Sequence, residues 1–183
     1  MNLPNKITIC RVILVPFFVF FMLCGDMVPG NQYIAVAVFI VASLTDTLDG
    51  YIARKYDLVS NFGKFMDPLA DKLLVCSALI CFIAVPGNPM PAWGVLVIIS
   101  REFIISGFRL VASDAGVVIA ASWWGKSKTI VQMLMSILLI VNFNGTVIDI
   151  IEYVFIYAAI LLTVISLVDY LWKNKHVLKE EKI

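Results

Sequence analysis

Long apolar runs separated by short polar breaks make up most of the chain. A helix needs about 20 mostly apolar residues to cross the hydrocarbon core of a bilayer. Six stretches meet that need, roughly 8–26, 33–54, 63–85, 93–113, 127–144 and 148–172. The breaks "CGDMVPGNQ", "VPGNPMPAWG" and "NFNGT" are Gly/Pro/Asn turns, and "SDAGVVIAASWWGKSK" is a longer connection. The pattern predicts an all-α chain of six transmembrane helices forming one domain over 1–183, with no repeat, low-complexity tract or linker.

Composition agrees. Of 183 residues, 61% are hydrophobic and 15% charged, against about 45–50% and about 25% in soluble domains. Mean hydropathy is +0.95. So little polar surface cannot coat a globule of this size, and an integral membrane protein is expected. The net charge of +1 says nothing about partners. No basic run, aromatic-studded patch or zinc-type spacing points to nucleic acid, and none is expected as a partner. Lys6 and Arg11 ahead of "VILVPFFVFFML" have the outline of a signal peptide, and Cys24-Gly25 that of a lipoprotein cleavage site. Leu23 is too bulky for that site and further apolar spans follow, so no cleavage is expected. Cys10, Cys24, Cys76 and Cys81 lack a CxxC pair and read as buried small hydrophobes.

Lysine and arginine set the orientation. The turns after spans one, three and five contain neither, whereas Lys6, Arg54, Lys55, Lys126, Lys128, Lys173, Lys175 and Lys179 all fall on the opposite side. Both termini are therefore expected in the cytoplasm. Trp93, Trp123, Trp124 and Trp172 lie near span ends, as an aromatic belt would.

Against this background the stretch from Thr45 to Leu74 is anomalous, because it holds Asp46, Asp49, Asp67 and Asp71. Residues three or four apart share a helix face. Asp46 and Asp49 lie near the cytoplasmic end of span two, and Asp67 and Asp71 near the cytoplasmic start of span three. A short connection makes the two helices antiparallel, which lets both pairs converge at one depth. Pro68 either kinks span three or sits just inside a helix start capped by Asp67.

A single charge at the bilayer centre costs about 2.5–3.5 kcal/mol on insertion scales. Four like charges add mutual repulsion, which two hard divalent cations would remove. All the candidate donors are oxygens and the only histidine, His176, is in the tail, so magnesium or manganese is favoured over zinc or copper. Paired cations suit in-line displacement at phosphorus. Acids within membranes also serve proton relays and ion paths, and acids near span ends can simply be solvated. Gly50, Ala53 and Gly63 leave room for a close ligand, or equally for helix packing, and Arg54 can hold a phosphate.

Read together, the stretch is Asp46-x-x-Asp49-Gly50-x-x-Ala53-Arg54, eight residues, then Gly63-x-x-x-Asp67-x-x-x-Asp71. At all eight fixed positions it resembles the signature of the CDP-alcohol phosphatidyltransferases. Six spans with the signature across the second and third are also similar to that family, so the resemblance covers essentially the whole chain. It implies a divalent-metal enzyme, often a homodimer, that attacks a CDP-linked lipid with an alcohol and releases CMP. Carried over, Asp46, Asp49, Asp67 and Asp71 are the metal-binding acids, with Asp71 also the general base. Gly50, Ala53, Arg54 and Gly63 would seat the cytidine diphosphate moiety.

The opening "NLPNKITICRVILVP" and the later "REFIISGFRL … GKSKTIVQ" resemble the phosphatidylglycerophosphate-synthase branch, which joins glycerol-3-phosphate to CDP-diacylglycerol. A phosphorylated acceptor asks for cations. Arg109, near the cytoplasmic end of span four, and Lys126 and Lys128, which open span five, would supply them. The other reading of the two lysines is surface anchoring. Arg101 lies deeper, and Glu102, seven residues before Arg109, is placed to orient it. Asn5 and Thr8 are similar to a motif that reaches the diphosphate, and capping of the first helix explains them equally well. The expected setting is a bacterial cytoplasmic membrane, with the active site at its cytoplasmic face. The alternatives are a sibling transferase using serine, inositol phosphate or another lipid, and a cation transporter. Transporters typically carry inverted repeats; here the halves are dissimilar and the acids lie toward one face.

Overall fold

The structure is a computed structural model. It describes the backbone of residues 2–56, 61–114, 117, 119, 122–143 and 145–175; within these, the side chains of 3, 4, 26, 47–54, 61, 62, 64, 65, 67 and 114 lie outside the description. Six α-helices follow one another: α1 Leu3–Leu23, α2 Asn31–Lys55, α3 Asn61–Ala84, α4 Ala92–Asp114, α5 Trp123–Val141 and α6 Thr146–Asn174. No strand occurs among the described residues.

Among the described residues, three helices are long and apolar enough to cross a membrane, over Asn5–Leu23, Trp123–Val141 and Thr146–Asn174. In α2 the apolar stretch among the described residues is Asn31–Asp46. The turns break where chain chemistry allows. Gly25, Gly30 and Gly87 take positive φ after α1, before α2 and after α3, a conformation open to glycine at little cost.

Contacts divide the chain into two compact units. Unit 1 comprises residues 1–88 and 136–143, hence α1, α2, α3 and the last turns of α5. There α1 packs against both α2 and α3, which touch each other more lightly. One face of α1, stepping through Thr8, Arg11, Val15, Phe18 and Met22, is buried. It meets a face of α2 through Ala35, Phe39 and Ala42. The Phe18 and Phe39 rings lie 5.7 Å apart, and Asn31 Nδ2 donates to the Phe21 carbonyl at 3.0 Å. Buried Ala70, Leu74, Ala78 and Phe82 form the matching face of α3. Pro68 lies well inside α3, which starts at Asn61. The capped-start alternative is thereby excluded, and the helix tolerates one missing N–H donor there.

Unit 2 comprises residues 89–135 and 144–183. Its α4 and α6 run parallel. Gly94 abuts Ile160, Arg101 meets Ser166, and Phe108 stacks edge-on against Tyr170 at 5.7 Å, in ascending order along both helices. An apolar cluster of Ile105, Phe108, Ala112 and Tyr170 closes one end.

Candidate functional site

The acidic signature falls on two helices of unit 1. Asp46, Asp49, Gly50, Ala53 and Arg54 occupy the last turns of α2, and Gly63, Asp67 and Asp71 the first turns of α3. Helical backbone thus keeps the predicted three- and four-residue spacings. Gly63 is buried, Asp71 exposed and Asp46 partly exposed. The side chains of Asp49, Gly50, Ala53, Arg54 and Asp67 lie outside the described residues. Among the described residues no group of three acids, histidines and cysteines gathers. The donors that are described, the carboxylates of Asp46 and Asp71, are hard oxygens suited to a divalent cation. Asp46 already carries a cationic partner, for Arg11 Nη1 donates to its Oδ1 at 2.5 Å.

That arginine belongs to a polar seam on α1. Asn5, Thr8 and Arg11 step by three and are all buried in unit 1. Helix α1 starts at Leu3 behind Asn2, with Pro4 in its first turn. Asn5 and Thr8 therefore cannot be caps, and that expectation is corrected: they lie inside the helix, facing its neighbours. Sequence reading took Arg11 for a flanking charge and missed it. The available signal was its register, since Thr8, Arg11, Val15 and Phe18 share one face and the last two are core.

In unit 2 the cations sort differently from expectation. Arg109 is exposed, with Nε donating to Tyr170 Oη at 3.3 Å and its guanidinium 5.6 Å from the ring centre. Lys126 is exposed near the start of α5. Lys128, by contrast, is buried with its ammonium on Glu102 Oε1, so surface anchoring does not describe it. The same Oε1 accepts from Arg101 Nη1 at 3.2 Å, and Arg101 Nη2 donates to Ser166 Oγ at 2.5 Å. Glu102 thus links two buried cations, which differs from the expected role of orienting Arg109. Space is tight here: a Cβ on Gly125 would lie 3.4 Å from Arg101 Nη2 and 3.8 Å from Ser166 Oγ. Of the cysteines, Cys24 and Cys81 are buried as expected, whereas Cys10 is exposed.

The profile of the CDP-alcohol phosphatidyltransferases matches residues 1–165. The CDP-diacylglycerol–glycerol-3-phosphate 3-phosphatidyltransferase of Bacillus subtilis is 46% identical over 193 residues, covering 97% of each chain. The protein of that name from Haemophilus influenzae is 38% identical, over 93% of this chain and 91% of its own. A probable phosphatidylglycerophosphate synthase of Mycobacterium tuberculosis is 39% identical, over 92% of this chain and 79% of its own. With a family profile spanning most of its length and relatives this similar end to end, the chain belongs to the CDP-alcohol phosphatidyltransferase family.

Proposed function

We propose that this chain transfers the phosphatidyl group of CDP-diacylglycerol to glycerol-3-phosphate, giving phosphatidylglycerophosphate and CMP. The observation that carries the reading is the unbroken eight-position signature on α2 and α3 of a chain 46% identical to a relative bearing that activity's name. The protein is read as a single catalytic domain over 1–183, with six spans, both termini in the cytoplasm and its site at the cytoplasmic face of a bacterial cytoplasmic membrane. The lysine and arginine asymmetry supports that orientation. The antiparallel α1 and α2 and the parallel α4 and α6 have the relative directions that serial crossing requires. Assembly as a homodimer belongs to the same reading.

Asp46, Asp49, Asp67 and Asp71 are the ligands for two magnesium or manganese ions, which when bound neutralise charge on the diphosphate. Gly50, Ala53, Arg54 and Gly63 seat the CDP moiety; Asn5 and Thr8 contribute from the buried face of α1. The phosphate of the acceptor is assigned to Arg109 and Lys126, with Lys128 adding positive charge from its place on Glu102. Asp71 accepts the proton of the acceptor's primary hydroxyl. The hydroxyl oxygen bonds to the phosphorus that carries diacylglycerol, the bond from that phosphorus to the CMP oxygen breaks, and CMP leaves with the electron pair.

The experiment is CMP release from CDP-diacylglycerol by the purified protein, with glycerol-3-phosphate, serine or inositol phosphate offered in parallel. Release should need glycerol-3-phosphate, stop with a chelator and return with magnesium or manganese. Faster release with serine or inositol phosphate would move the chain to a sibling transferase.

A further inference from the structure

In the folded chain Arg11 is enclosed: its side chain has no exposed surface, while that of Asp46 keeps 41% of its own. Packing, not chain proximity, makes this pair. From Phe18 back to Arg11, α1 runs seven residues, and from Phe39 on to Asp46, α2 runs the same distance. The aromatic contact and the ion pair are therefore two successive rungs of one antiparallel register. An apolar helix face thus delivers a unit positive charge, without choice, to the first acid of the signature.

Two opposed consequences follow for a divalent cation on Asp46. The guanidinium fixes the carboxylate's torsions, which helps a cation bind. Its charge repels that cation, which hinders it. Freeing the torsions of one short side chain is worth a factor of a few. Charges a few ångströms apart at an effective permittivity of about 20 interact by many times the thermal energy. Repulsion is the larger effect.

We propose that Arg11 is a positioning residue for the cation site, holding one oxygen of Asp46 while its charge keeps divalent affinity below what the acids alone would give. This rests on the reading of Asp46 as a metal ligand. The ligand class is a hard divalent cation, and the determinant is a buried guanidinium on a helix outside the signature.

The test is manganese binding to the purified full chain without substrate, followed by the electron paramagnetic resonance of free manganese. Wild type is compared with Arg11→Gln, Arg11→Met and Arg11→Lys. The neutral variants should bind manganese about tenfold or more tightly than wild type, and Arg11→Lys, which keeps the charge, should stay close to wild type. A purely structural role would lower the melting temperature without moving manganese affinity. Neutral variants that bind as wild type or more weakly would overturn the proposal while leaving the proposed function standing. If wild type takes up no manganese at all, the metal-dependent reading falls and this inference with it. Should neither neutral variant fold, Arg11→Lys decides: manganese affinity within about threefold of wild type supports a charge role, and tenfold weakening refutes it.

Discussion

Lys128 sets its ammonium on the carboxylate of Glu102, twenty-six residues earlier in the chain, with the lysine side chain 2% exposed and the glutamate side chain 18%. Removing one member of such a pair leaves the other charge poorly compensated. Breaking a buried pair typically costs about 3–5 kcal/mol, and Arg101 on the same oxygen reduces that for Glu102. Lys128→Met should therefore cost about 2–3 kcal/mol, a fall of roughly 5–10 °C in melting temperature for a chain of this size. The double variant Lys128→Met/Glu102→Gln should lose less than the two single losses summed, because each single change already breaks the shared pair. Thermal unfolding of the three variants in detergent checks this; strictly additive losses would mean the pair does not couple.

A second consequence concerns packing of α4 on α6. A Cβ at Gly94 would sit 2.6 Å from Ile160 Cδ1 and 3.2 Å from Pro91 Cγ. Alanine gains up to about 1 kcal/mol of helix propensity over glycine, but overpacking a filled interface costs about 1–3 kcal/mol. The steric cost should prevail, so Gly94→Ala is expected to lower the melting temperature. Ile160→Val removes the clashing methyl, at a cost of its own of about 1 kcal/mol. The double variant should then melt above the sum of the two single losses. Simple additivity would show that Ile160 swings clear of the new methyl group unaided.

The six helices were largely legible because the hydropathy pattern and the turn residues agree with one another. The ends that moved are instructive. Helix α1 starts at Leu3 and α5 at Trp123, each ahead of its predicted apolar span. Both extensions carry polar residues that hydropathy averages as breaks. Of these Asn5 is buried, as are Thr8, Arg11 and Lys128 just inside the predicted spans. Two of them meet acids on other helices, Arg11 on Asp46 and Lys128 on Glu102. Averaged hydropathy registers a charge but not its partner, and these partners lie 35 and 26 residues away. The acidic signature was readable for the opposite reason: its spacing is local, within the turns of two consecutive helices. Pro68 shows the limit of local rules, since its neighbours continue the helix through it.

Asp71 lies exposed on α3, where a shape-conserving change should leave the fold alone. Asp71→Asn keeps the shape and removes the basic oxygen. Exposed substitutions usually stay within about 0.5 kcal/mol, a shift of about 2 °C here. Loss of a general base costs about a hundred- to ten-thousandfold in rate. CMP release should therefore collapse while insertion and melting temperature are kept. Near-normal turnover in this variant would remove Asp71 from the base role.

Arg109 is exposed while its Nε and guanidinium face rest on the buried Tyr170. The tyrosine limits the rotamers that the arginine samples, so the exposed part of the fork is presented in a restricted orientation. A hydrogen bond to a charged group is worth about 1.5–3 kcal/mol, or roughly ten- to hundredfold in binding. Arg109→Ala should raise the KM for glycerol-3-phosphate by that factor, leaving the KM for CDP-diacylglycerol nearly unchanged. Tyr170→Phe keeps the ring under the guanidinium and removes only the hydroxyl, so its effect on the same KM should be a fraction of that. If Arg109→Ala instead raised both KM values equally, the arginine would be supporting the fold of unit 2 and the acceptor's phosphate would need another partner.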